Sequence, residues 1–172
     1  MRRVAVTGMG IVSPIGNNTQ EVVASLREAK SGISGAPQYK DMGFRSQVYG
    51  KPNIDLPSMI DRRAMRFMGD TAAFAFVAMD QALRDSGLEE KDIINPKTGL
   101  IVGSGGPSVR NIIEAADINR KNGSPRKIGP FAVPKTMSST CSAVLSTCVK
   151  IKGVNYSISS ACATSAHCIG NS

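Results

Sequence analysis

Apolar positions along this chain switch between the alternation of a strand and the three-and-four spacing of a helix. Arg3-Val-Ala-Val-Thr7 reads as a compact apolar strand that ends in Gly8-Met9-Gly10. Asn17 or Asn18 then caps a predicted helix reaching about Glu28, with Val22, Val23 and Leu26 on its buried side and Lys30-Ser31-Gly32 stopping it. From Ile33 to Pro57 the pattern weakens under Gly35, Pro37, Gly43, Gly50, Pro52 and Pro57, and leaves one or two short strands, one of them Ser46 to Tyr49. A long helix follows, from about Arg62 to Ser86, whose broad apolar face carries Met65, Phe67, Met68, Ala72, Phe76, Met79, Ala82 and Leu83, with Gly87 as its C-cap.

Gly99-Leu-Ile-Val-Gly103 is a second buried strand, and Ser104-Gly105-Gly106-Pro107 follows it directly. In an alternating α/β chain such a glycine loop fits the carboxyl edge of a sheet, where ligands bind, and equally fits a tight turn. Ile112, Ile113 and Ala116 share helical spacing ahead of a basic, breaker-rich loop from Arg120 to Lys127. Pro130 to Pro134 reads as another loop, and Ser138 or Ser139 caps a helix to about Lys150. Tyr156 and Ile158 then alternate with Ser157 and Ser159 as a strand that turns sharply at Ala161-Cys162-Ala163 into a new helix. The alternation predicts an α/β fold with a sheet covered by helices on both faces. No internal repeat is visible, and the 172 residues fit one domain. The helix after Cys162 has barely begun at residue 172, which leads to the expectation that the chain is part of a longer protein.

Composition narrows the class. With 41% hydrophobic and 20% charged residues the chain reads as a globular protein. It contains no apolar run of the ~20 residues that span a bilayer, and Thr7, Gly8 and Gly10 break the short apolar stretch that could suggest a signal peptide. A cytoplasmic protein without membrane association is expected. The net charge of +8 invites nucleic acid, yet three Tyr, five Phe and no Trp offer few stacking platforms, and an acidic protein partner accounts for the charge as well. Arg62, Arg63 and Arg66 cluster at helical spacing, which is either a solvated face or a docking surface, and Arg126 and Lys127 belong to the second basic concentration.

Candidate chemistry centres on cysteine. Cys141, Cys148, Cys162 and Cys168 lack a Cys-x-x-Cys pair and His167 is the only histidine, so no metal site and no cofactor are expected. Cys141 and Cys148 lie seven apart in an apolar stretch and read as core packing. Gly8-Met-Gly10 resembles the start of a dinucleotide fingerprint, but Ser13 replaces its third glycine and Pro14 interrupts the helix, which favours a plain turn. Cys162 differs from the other three. At a strand-to-helix turn the free backbone N–H groups and the helix dipole favour thiolate over thiol, which marks a nucleophile; the alternative is a small buried cysteine at a junction.

Val6-Thr-Gly-Met-Gly-Ile-Val-Ser-Pro-Ile-Gly16, Gly103-Ser-Gly-Gly106 and above all Asn155-Tyr-Ser-Ile-Ser-Ser-Ala-Cys-Ala-Thr-Ser-Ala-His-Cys-Ile-Gly170 resemble the beta-ketoacyl-[acyl-carrier-protein] synthases, with bacterial synthase I closest. The resemblance covers the whole chain. It implies a thiolase-like layered α/β fold of which residues 1–172 form the first, N-terminal half, incomplete and ending just after the nucleophile elbow, in a protein that forms homodimers. It also implies fatty acid elongation by decarboxylative condensation of an acyl group on Cys162 with malonyl-acyl carrier protein. Cys162 would be the nucleophile and its own backbone N–H one oxyanion donor. Gly106 and Met137 match positions near the acyl pocket or subunit interface, and Arg62, Arg63, Arg66, Arg126 and Lys127 match residues shown to the acidic carrier protein.

The family also needs two histidines, a lysine and a second oxyanion donor from its C-terminal half. His167 does not substitute, since five positions along a helix turn a side chain about 140° away from Cys162. It and Cys168 read as packing or surface residues. The isolated chain is therefore expected to be inactive in condensation, and the alternative reading is a non-catalytic half that needs a partner carrying the rest.

Overall fold

Local chemistry fixes the ends of the helices. Asn18 caps the first, its side chain accepting the Glu21 N–H at 2.9 Å, and Gly87 closes the long one with φ +67°. The computed structural model describes residues 3–172. In order they form α1 (Thr19–Arg27), β1 (Ile33–Gly35), α2 (Pro37–Asp41), β2 (Val48–Gly50), α3 (Leu56–Met59), α4 (Arg62–Met65), α5 (Asp70–Ser86) and α6 (Glu90–Ile93). There follow β3 (Leu100–Gly103), α7 (Val109–Asn122), a 3-10 turn at Pro125–Lys127, α8 (Ala132–Thr136), α9 (Thr140–Cys148), β4 (Asn155–Ile158), a second 3-10 turn at Ala161–Ala163 and α10 (Thr164–Asn171). No helix among the described residues is long and apolar enough to cross a membrane.

The chain divides into two compact units. One holds the chain up to Asp55 together with Val77–Gly87, the C-terminal part of α5. Here β1 and β2 pair antiparallel, with Ser34 opposite Tyr49. The segment expected as the strand Arg3–Thr7 enters no ladder, and Val4 and Val6 are 91% and 83% exposed. A ladder needs a neighbouring strand, and none of the described residues supplies one. The segment continues along α5, where the Met9 N–H donates to Asp85 at 2.9 Å and the Ile11 N–H to Gln81 at 3.1 Å. A Cβ on Gly8 or Gly10 would lie 2.2 and 1.8 Å from the carbonyl oxygens of Ala82 and Ala78. These glycines thus let two backbones touch.

The other unit holds Leu56–Phe76 and Leu88–Ser172. The helix expected from Arg62 to Ser86 is two helices, because the chain at Gly69 must come close to another backbone: a Cβ there would sit 2.7 Å from the Lys135 carbonyl oxygen and 3.0 Å from the Ser108 Cβ. Met65, Phe67, Met68 and Ala72 keep their apolar spacing through the break, so periodicity hides it. The expected loop at Pro130–Pro134 contains the start of α8, where Pro134 sits in the first turn and lacks only an N–H that needs no partner there.

β3 and β4 pair parallel, Val102 opposite Ser157 and Gly103 opposite Ile158. The Ser157 hydroxyl shares a 2.7 Å hydrogen bond with Ser142 of α9, while a Cβ on Gly103 would meet the Thr164 Cγ2 of α10 at 2.7 Å. Residues 157 and 158 point to opposite faces, so α9 and α10 cover the two sides of this pair, as the α/β alternation predicts. Ile60, Met68, Ala72, Ala73, Cys141, Leu145 and Cys168 are buried in this unit.

Gly103→Ala is expected to destabilise the chain by roughly 2–4 kcal/mol, because its Cβ would fall 2.0 Å from the Ile158 carbonyl oxygen. Gly106→Ala, with nothing within 4 Å, is expected to change stability by less than ~0.5 kcal/mol. Urea unfolding of both variants checks the contrast.

Candidate active site

The elbow between β4 and α10 is tied by one threonine. The Ser160 N–H donates to the Thr164 hydroxyl oxygen at 2.8 Å, and that hydroxyl donates to the Ala161 carbonyl at 2.8 Å. The Ala163 N–H closes the turn onto Ser160 at 3.0 Å. This holds Ala161 at φ +45°, a left-handed conformation that a residue with a Cβ adopts at a cost and keeps only when its surroundings enforce it. Thr164 and Cys168, one helical turn apart, are both buried and fix the inner face of α10.

Cys162 sits in the middle of the 3-10 turn and is exposed, two residues before α10 begins. Among the described residues its backbone N–H has no hydrogen-bond acceptor. The glycine loop after β3 runs against the same elbow: a Cβ on Gly105 would lie 3.0 Å from the Ala161 carbonyl oxygen. Ser104, buried, locks that loop by donating its hydroxyl to the Gly106 carbonyl at 2.6 Å. Small residues thus leave the thiol and the amide of residue 162 uncovered at a strained turn, an arrangement suited to attack on a carbonyl carbon with the oxyanion near the N–H.

Gly106 and Met137 come together on a small crevice of about 10 Å³ that Ser104, Ser138 and Cys141 also line. Met137 in addition borders an apolar groove of about 580 Å³ between α4, α8 and α9, with Phe67, Val133 and Val144 on its walls and Arg63 as its charged residue. Cys162 lines neither.

Asp61 caps α4, accepting the Arg63 N–H at 2.8 Å, and so presents Arg62 and Arg63 on an exposed turn that Arg66 continues. Ser124 accepts the Arg126 N–H at 3.3 Å and presents Arg126 and Lys127 on the first 3-10 turn. None of these five cations has an ion-pair partner among the described residues, whereas Arg84, Lys91, Arg110, Arg120 and Lys150 each do. Arg66 instead lies over the Phe131 ring, 6.0 Å from its centroid.

The remaining candidates fall to structural positions. His167 is exposed on α10, its carbonyl accepting from Asn171 at 2.8 Å. Burial pushes the Cys141 thiol above its ordinary pKa, partly offset by a backbone hydrogen bond. Cys148 is raised by burial and then by the charge of Asp61. No three His, Cys, Asp or Glu side chains cluster among the described residues. Sequence reasoning missed Thr164 and Phe131: a threonine two residues past a turn carries a weak signal, and a ring pair 64 positions apart in sequence carries none.

The family profile described as "Beta-ketoacyl synthase, N-terminal domain" matches residues 1–172. The chain is 54% identical over 172 residues to 3-oxoacyl-[acyl-carrier-protein] synthase 1 of Escherichia coli (strain K12), covering 99% of this chain and 42% of that protein. It is 51% identical over 171 residues to the synthase 1 of Haemophilus influenzae, again covering 99% and 42%. Among solved structures it resembles a beta-ketoacyl synthase from Burkholderia phymatum STM815, with a TM-score of 0.82 at 27% identity, over 99% of this chain and 42% of that one. A chain in the structure of a type II polyketide acyl-carrier protein in complex with its ketosynthase shares the fold, with a TM-score of 0.70 at 19% identity over 99% of this chain and 45% of that one. The chain thus spans less than half the length of the curated relatives it matches.

At pH 8, iodoacetamide is expected to label Cys162 first, Cys148 at least tenfold more slowly, and Cys141 only on unfolding, because thiolate character and exposure set the rate. Peptide mass mapping over time reads the order.

Proposed function

Because the chain belongs to the beta-ketoacyl synthase family, with the α/β thiolase-like fold of its N-terminal domain, we propose that Cys162 is the acyl acceptor of a fatty-acid-elongating synthase. One observation carries this reading above the others: the exposed thiol and free amide of residue 162 at a turn strained through Ala161. The Cys162 sulfur attacks the carbonyl carbon of an acyl thioester on acyl carrier protein. A new C–Sγ bond forms, the oxyanion rests near the Cys162 N–H, and the bond to the carrier's sulfur breaks, the carrier leaving as a thiol.

Elongation then transfers the acyl group to carbon. Malonyl-acyl carrier protein loses CO2, its carbanion attacks the Cys162 thioester, and the thiolate of Cys162 leaves as the C–C bond forms, giving a chain two carbons longer. That second step is proposed for a protein of the relatives' full length, in which residues 1–172 supply the N-terminal part with the nucleophile elbow. The groups for decarboxylation are not among the residues described above. Gly106 and Met137, which share one crevice, are proposed to lie near the acyl pocket or the subunit interface, as their match to the family's positions implies.

Two exposed clusters of cations support docking of an acidic carrier protein, which long-range attraction would steer onto Arg62, Arg63, Arg66, Arg126 and Lys127. A homodimer is the proposed assembly. The four cysteines are free, which fits the reducing cytoplasm.

Incubation with acyl-[acyl carrier protein] is expected to add one acyl mass to the Cys162 peptide, and Cys162→Ser to abolish the thioester, lowering transfer by at least 10³-fold. Acylation that persists at Cys141, Cys148 or Cys168 in the variant would assign the acceptor elsewhere.

A further inference from the structure

Of the five cations proposed for docking, Arg62, Arg63, Arg126 and Lys127 are exposed with no described side-chain partner, while Arg66 is held by a ring. Phe131 lies edge-to-face on Phe67, centroids 5.1 Å apart at 86°, and carries the Arg66 guanidinium 6.0 Å above its own centroid. Phe131 is also four residues past Lys127. Between them the Ile128 N–H donates to the Pro125 carbonyl at 3.0 Å and Gly129 turns the chain at φ +83°. After them the Phe131 carbonyl accepts the Lys135 N–H at 3.2 Å in the first turn of α8. One ring therefore joins the Arg66 end of α4 to the base of the turn that presents Arg126 and Lys127.

We propose that Phe131 is the positioning residue of the carrier-docking surface, and that Arg66, held by it, is the anchor of that surface. The inference rests on the docking reading above and adds which cation dominates and why. Attraction between a cation and a ring face leaves the guanidinium N–H donors free, so Arg66 can still grip a carboxylate through two parallel hydrogen bonds. A cation already held in place loses less freedom on binding than one that no neighbouring side chain holds, and such preorganised arginines become the residues on which affinity concentrates. Lysine cannot replace it, because an ammonium lacks the planar fork.

Binding of apo acyl carrier protein to the full 172-residue chain, measured by calorimetry at low salt, tests this. Phe131→Leu is expected to weaken binding roughly three- to tenfold, and Phe131→Tyr, which keeps the ring, to stay within about twofold. Arg66→Lys is expected to lose about as much as Phe131→Leu, Arg62→Lys less than about twofold, and the double variant Arg66→Lys/Phe131→Leu no more than either alone. The Arg66 side-chain NMR resonances should move in Phe131→Leu while those of Arg62 stay, a change that a merely structural ring would not confine to Arg66. Additive losses, or equal losses at Arg62 and Arg66, overturn the proposal and leave docking intact. Absence of binding by the parent chain overturns the docking reading and this proposal with it. If Phe131→Leu fails to fold, the contrast between Arg66→Lys and Arg62→Lys decides.

Discussion

Close approach of backbones at glycine is the constraint on which the elbow depends. Gly103 lies where any Cβ would strike the Ile158 carbonyl oxygen and the Thr164 methyl, and Gly105 lies against Ala161. Only because these positions lack a side chain can the end of β3 lie against the turn that follows β4. That turn is then over-determined: the parallel pairing fixes Ile158, the hydroxyl of Thr164 fixes Ser160 and Ala161, and the buried faces of Thr164 and Cys168 fix α10. Ala161 is held left-handed as a result, and Cys162 is turned outward beside an unpaired amide. Strain at one residue is stored where the surrounding hydrogen bonds can hold it, and the Cys162 thiol sits next to it.

Electrostatics follow a second logic. Arg84, Lys91, Arg110, Arg120 and Lys150 pair with nearby carboxylates, whereas the cations on α4 and the 125–127 turn, like Lys121 and Lys152, do not. Paired surface charges contribute little to stability in water, so these five ion pairs are not what holds the fold. The capping bonds from Asp61 and Ser124 spend their acceptors on backbone N–H groups and leave the adjacent arginines available.

Much of this was readable from residues alone, and the failures have definite causes. The Asn17-Asn18 pair and Gly87 announced helix ends because capping and left-handed turns depend on local chemistry, and the cap is Asn18. The β4–elbow–α10 unit was readable for the same reason, as alternation, small residues and a turn lie within one short stretch. The family resemblance, which the profile match bears out, added the thiolase-like fold. The break at Gly69 was not readable, since it is imposed by Lys135 and Ser108 from distant sequence while the apolar period runs on through it. Arg3–Thr7 has strand composition, but a strand is a property of a pair and no described residue pairs with it. The Arg66–Phe131–Phe67 cluster joins segments with no shared pattern, and only the fold brings them together.

The central claim is that the hydrogen-bonded elbow makes Cys162 an acceptor, and Thr164 is where it can be broken without touching the thiol. Thr164→Val keeps the buried shape but removes both hydroxyl bonds, while Thr164→Ser keeps them. The decisive measurement is the rate of thioester formation at Cys162 from acyl-[acyl carrier protein] in folded samples of the two variants. The expected result is a loss of roughly 10- to 100-fold for Thr164→Val and near-parental rates for Thr164→Ser. Equal rates in the parent and Thr164→Val would contradict the account.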